Sequence, residues 1–264
     1  MSEHNVILVD GTKLCQFDEG WISGAIYFSS DMYDLSGSEL NNHGNLPLGP
    51  LQTIYDVQIK AGTRLESDND FHPHKNVDIF SYVVCGCLYD AVGDADLLKG
   101  LGYVNGLIGK SEAVSEPGDS QFIHSGMGIH HSVYCRTDEP LRFIQLFLSP
   151  TQKDDSPRYS THTALSSEKN QWVPLATWQG GGVTAPLLLE QDVNISVAVL
   201  EPLKAVEIVQ DASRQACVLV IDGEADLGGI SLRAKDAAII KGDYRDMMKA
   251  NSRAHVMLID MAMS

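Results

Sequence analysis

His72-Pro73-His74-Lys75-Asn76-Val77-Asp78-Ile79-Phe80-Ser81-Tyr82-Val83-Val84-Cys85-Gly86 sets two histidines, one residue apart, ahead of a run rich in β-branched and aromatic residues. Residues two apart on an extended strand face the same side, so His72 and His74 can offer two imidazoles to one ion while Pro73 faces away. The run from Asp78 to Cys85 has the composition of a strand and stops at Gly86. Cys87-Leu88-Tyr89 follows, which predicts either a bent strand or a hairpin. Further along, Gly126-Met127-Gly128-Ile129-His130-His131-Ser132 can supply a third imidazole. If that segment is extended, His130 points opposite to His131.

The surroundings are strand and turn signals. Glu116-Pro117-Gly118-Asp119 reads as a turn, Gln121-Phe122-Ile123 as a short strand, and Leu141 to Leu148 as an apolar strand that ends before Pro150. Short strands at close spacing predict a β-sandwich or barrel. The second half repeats this grammar. Val218 to Glu224 echoes Tyr82 to Gly86, Ala234 to Ile240 echoes Pro117 to Ile123, and His255 to Asp260 echoes Arg142 to Phe147. Two tandem barrels are the simplest account. The copies differ where chemistry would live, because Ala205 to Gln210, ahead of Val218, contains no histidine. The domains are therefore read as 1–150, bearing the candidate metal site, a polar connection over 151–180, and a degenerate second barrel over 181–264.

Composition narrows the function classes. The chain has 264 residues, 44% hydrophobic and 20% charged, enough for one large core or two modest ones. A net charge of −16, from 35 acidic against 19 basic residues, argues against direct binding to nucleic acid or to anionic membrane surfaces. Met1-Ser2-Glu3-His4-Asn5 has no basic segment leading into an apolar one, and no long apolar window follows, so a cytoplasmic protein is expected. Five cysteines without a CxxC pair read as reduced thiols, and Cys85-Gly86-Cys87 reads as structural in preference to a soft metal site. A monomer is the default, since two barrels in one chain can pack on each other.

Taken together, His72-Pro73-His74-Lys75, Asp78, Tyr82-Val83, Gly86, Pro117-Gly118-Asp119, Gly126-Met127-Gly128-Ile129, His131-Ser132 and Glu139-Pro140 resemble the pirin-like bicupins. Gly49-Pro50-Leu51 and Ala61-Gly62 are similar to the family's approach to the first motif. Leu188 to Val193 is similar to the opening of its second cupin. The resemblance implies an all-β fold of the cupin superfamily: two tandem jelly-roll β-barrels with short helices. It also implies one divalent metal in the first cupin, iron foremost, with nickel, copper, zinc or manganese as alternatives. His72, His74 and His131 match the three histidine ligands.

Val133 stands where the family has its glutamate ligand, so the site is either completed by histidines alone or holds no metal. Asp78 has the spacing of an acidic ligand in other cupins, or is a hydrogen-bonding structural residue. His124 is read as a proton acceptor or an outer partner of the metal site, or else as a satisfied core histidine. The stretch Asp90 to Glu116 is longer than the family's hairpin, and a lid, an oligomer contact and a tolerated loop all fit it. Two functions follow. One is a quercetinase-type dioxygenase that cleaves a flavonol or similar enediol with O2, whose anionic chelate would replace the missing carboxylate. The other is a non-enzymatic, metal-bearing or metal-free stress or regulatory protein acting through a partner surface.

Overall fold

A computed structural model describes residues 6–29, 48–63, 72–94, 112–164 and 168–263. Two compact units make up the chain. One consists of Cys15–Asn41 with Leu51–Ala164, the other of Met1–Leu14, Asn42–Pro50 and Leu165–Ser264. Each is a β-barrel of a seven-stranded and a four-stranded sheet. Among the described residues the helical content is a single 3-10 turn, Gly11–Lys13, and no helix is long and apolar enough to cross a membrane.

In the first unit the larger sheet runs in the order Arg158–His162, Ser120–His124, Asp78–Cys85, Leu141–Leu148, Leu51–Ile59, Ile22–Ser29, Cys15–Asp18. The smaller runs His72–His74, Ile129–Tyr134, Leu88–Asp94, Glu112–Ser115. Their inner faces meet in a core that joins Tyr55, Val57, Val83 and Phe143 of the large sheet to Leu88 and Val133 of the small one. Asp78–Cys85 and Leu88–Asp94 belong to different sheets, so the chain bends there and does not form a hairpin. Gly86, at φ +74°, is the corner. A Cβ on it would lie 2.4 Å from the Pro140 carbonyl oxygen, so only glycine fits. Gly223 does the same in the second unit, at φ +82° and 2.0 Å from the Arg253 oxygen.

The predicted repeat extends to individual hydrogen bonds. Gly118 N donates to Val83 O at 2.9 Å and Val83 N to Asp119 O at 3.0 Å; Lys235 N donates to Val220 O at 2.8 Å and Val220 N to Asp236 O at 3.0 Å. The turn aspartates close the same loop, accepting from Glu116 N at 2.8 Å and from Arg233 N at 2.9 Å. The second oxygen of each pins an outer strand's neighbour, taking Ala164 N at 2.7 Å in one unit and Gly11 N at 2.8 Å in the other.

Those pins explain where the units depart from contiguous domains of 1–150 and 181–264. Val6–Val9 pairs antiparallel with Ala237–Lys241, so the start of the chain edges the second barrel. Arg158–His162, inside the stretch read as connection, pairs with Ser120–His124 and edges the first. Of the 90–116 insertion, the arms Leu88–Asp94 and Glu112–Ser115 pair as a ladder, while 95–111 lie outside the described residues.

Candidate metal centre

Histidine enters the first barrel from two neighbouring strands. Register places His131 directly across from His72 and Ile129 across from His74, with His130 opposite Pro73. His72, His74 and His131 therefore share one face, and His130 takes the other, as alternation dictates. One ring nitrogen from each of the three lies within 4.8 Å of the others. His74 Nε2 and His131 Nε2 stand 3.1 Å apart.

That spacing fits a metal. Two nitrogens each about 2.1 Å from one ion, at nearly a right angle, sit about 3 Å apart. Three imidazoles with adjacent positions left open suit iron, nickel, copper or zinc. The electrostatics agree with the geometry. Burial, reinforced by the neighbouring His131 and His130 rings, lowers the His72 pKa to about 3. Burial, then His131, His72 and His130, lowers His74 to about 2. His72 is the more exposed of the two, yet its ligating nitrogen faces the cluster. Both rings are thus neutral, with lone pairs available.

The cluster forms part of the wall of a cavity of about 410 Å³. Phe17, Tyr55, Phe143 and Phe147 supply aromatic walls, and the Phe147 ring stands edge-on to His74 with centroids 5.4 Å apart. Trp21 and Glu19, both exposed on the turn between Cys15–Asp18 and Ile22–Ser29, line it as well. Glu19 is the carboxylate among the lining residues, and nothing in the sequence pattern singled it out. Val133 also lines the cavity, 8% exposed, so the position of the missing glutamate does face the site.

Asp78 and His124 lie elsewhere. They are cross-strand partners on Asp78–Cys85 and Ser120–His124, both fully buried, and neither lines the cavity. His124 Nδ1 meets Asp78 Oδ1 at 2.6 Å, and its Nε2 meets Asp155 Oδ1, whose partner oxygen lies 3.3 Å from Arg158. Both ring nitrogens are engaged by carboxylates. Of the readings open from sequence, the geometry matches a satisfied core histidine and a structural aspartate.

A residue missed from sequence stands behind the histidine cluster. Asp90, fully buried, accepts from His131 Nδ1 at 3.2 Å and from Gln121 Nε2 at 2.7 Å, while Tyr159 OH donates to Gln121 Oε1 at 2.9 Å. A charged residue inside Leu88-Tyr89-Asp90-Ala91-Val92 was the available signal.

Comparison with known proteins agrees with this architecture. A model described as the quercetinase C-terminal cupin domain matches residues 181–261. A pirin-like protein of Caulobacter vibrioides is 24% identical over 95% of this chain and 97% of its own length. A quercetin 2,3-dioxygenase of Escherichia coli K12 is 25% identical over 80% of this chain and 82% of its own. The crystal structure of the E. coli bacterial pirin YhhW in complex with nickel(II) superposes with a TM-score of 0.78 at 20% identity, covering 98% of this chain and 100% of that one. With two barrels in this order, the chain has the bicupin fold of the bacterial pirin and is similar to pirin-like proteins along nearly its whole length.

Proposed function

We propose that the chain is a metal-dependent oxygenase of the quercetinase type. Its substrate is a flat, electron-rich aromatic such as a flavonol, whose adjacent hydroxyl and carbonyl oxygens can chelate one ion. The observation that carries this reading is the convergence of three imidazoles on a cavity walled in part by five aromatic rings, Phe17, Trp21, Tyr55, Phe143 and Phe147. Offset and edge contacts with Phe17, Tyr55, Phe143 and Phe147 would hold a planar ring system and exclude water.

His72, His74 and His131 would hold the ion, iron first among candidates; the nickel complex of the E. coli relative makes nickel a close alternative. When bound, a divalent ion supplies Lewis acidity toward the chelating oxygens and lowers the hydroxyl's pKa. Glu19 is the carboxylate placed to take that proton at the cavity wall. With no carboxylate at Val133, the deprotonated substrate brings the anion that balances the site. Overall, one O2 enters and both its atoms are kept in the opened ester, the ring carbon between them leaves as carbon monoxide with the substrate's own oxygen, and no external reductant is consumed.

Oxygen uptake with quercetin by metal-loaded protein tests this. His131→Ala should abolish uptake while the protein stays folded, and Glu19→Gln should lower kcat. Unchanged uptake in His131→Ala removes the assigned site. No turnover with any of the metals moves the weight to a second reading, a bicupin that acts by binding alone, which the apolar Val133 favours.

A further inference from the structure

The carboxylate absent from Val133 has a counterpart one strand away. Asp90 is the cross-strand partner of Val133, and cross-strand partners project from the same face of a sheet. Its side chain does not enter the cavity. It reaches the far edge of the His131 ring, taking the Nδ1 hydrogen at 3.2 Å, while the Nε2 edge faces His74. Its other oxygen is held by Gln121, which is held in turn by Tyr159. In this orientation of the Gln121 amide, Asp90 is the acceptor at the end of the chain.

We infer that Asp90 is the positioning residue of the metal centre: it fixes His131 as the Nδ1–H tautomer, aims the Nε2 lone pair at the ion, and supplies from behind the ring the negative charge that Val133 cannot supply from the front. The inference rests on the metal reading above. Its logic is charge and orientation. Three neutral imidazoles leave a divalent ion with its full charge, whereas an anion hydrogen-bonded to a ligand's outer nitrogen makes that ligand more basic and locks its ring. In the metal-free chain the same tautomer accounts for the 3.1 Å contact, with His74 Nε2–H donating to the His131 Nε2 lone pair.

Asp90→Asn is the informative substitution because it keeps shape and removes charge. Gln121 can flip its amide, accept from the new amide nitrogen and donate to Tyr159, so the buried polar atoms stay paired. Three measurements decide the matter: nickel(II) titration calorimetry, thermal melting of the metal-free protein, and long-range 1H–15N NMR of the His131 ring without metal. Wild-type protein should show the Nδ1–H form. Asp90→Asn should melt near the wild-type temperature, show mixed tautomers and bind nickel about 10- to 100-fold more weakly. Asp90→Asn/Val133→Glu should recover the affinity, since the carboxylate then comes from the front.

Equal nickel affinity in folded Asp90→Asn overturns the inference and leaves the metal reading standing. A wild-type protein that takes up no nickel, iron or copper overturns both. Should Asp90→Asn fail to fold, the wild-type tautomer decides alone, and an Nε2–H form of His131 sinks the proposal.

Discussion

Lowering the pH should leave metal binding at the three-histidine centre nearly unchanged down to about pH 5.5. His72 and His74 decide this, because burial, reinforced by the neighbouring His131 ring, holds them at about 3 and about 2. Had both rings kept the ordinary value near 6.5, each would be about 90% protonated at pH 5.5, and proton competition from the two would weaken binding about 100-fold relative to pH 7.5. At the lowered values less than about 1% of either ring is protonated there, so this loss vanishes. Isothermal titration with nickel(II) in weakly coordinating buffers at pH 7.5, 6.5 and 5.5 measures it, and the expected weakening is under about tenfold. A hundredfold loss would show that the rings titrate like free imidazole and would refute the burial argument. Stability of the metal-free protein should respond with a definite sign. The folded values lie below the unfolded one, so the unfolded chain binds more protons below about pH 6.5, and stability falls as the pH drops through that window.

Other substitutions test the fold that holds the centre. Lys235→Gly, at φ +75° where the first barrel uses Gly118, should raise stability by about 1 kcal/mol in denaturant titration. Gly86→Ala should cost about 2–4 kcal/mol by the same assay, because its Cβ must displace the Pro140 carbonyl. His124→Leu removes the imidazole that the buried Asp78 carboxylate is bonded to and should cost about 3 kcal/mol or more. It should leave nickel affinity within about twofold, and a large drop there would return His124 to the metal centre.

Much of this was legible in the chain because it is local. Asp78–Cys85, Ser120–His124 and Leu141–Leu148 announce themselves by β-branched and aromatic content, and the turn aspartates Asp119 and Asp236 by their place in the repeat. The period of two on His72–His74 was enough to bring three imidazoles to one face once Ile129–Tyr134 paired with it. What escaped depends on distant pairing. Nothing within Val6-Ile7-Leu8-Val9 says that its partner is Ala237–Lys241, and Arg158–His162 is too polar to look like a strand until Ser120–His124 lies beside it. Glu19 and Asp90 escaped for a related reason: each matters through the cavity or ring it reaches, and even the one local signal, a charge inside the apolar run around Asp90, does not say what that charge meets.

The second barrel shows why the histidine cluster and an apolar core compete for the same positions. Ala205–Gln210 pairs with Tyr244–Ala250 just as His72–His74 pairs with Ile129–Tyr134, at the same edge of the small sheet. Of its inward residues, Val206 and Ile208 meet Met248, Ala225 and Leu227 in a continuous apolar cluster. Fully burying an aliphatic side chain of that size is worth about 1.5–3 kcal/mol. Two imidazoles in the first barrel forgo that gain, and their lowered pKa values record the opposition of the interior to their charged forms. A cavity and three histidines are therefore a standing cost against folding. That cost makes a ligand the natural explanation for the arrangement: an ion that binds only the folded barrel returns stability by mass action. Asp90, sealed behind His131 and held by Gln121, adds a buried carboxylate to that cost, whereas the core cluster of the second barrel is apolar.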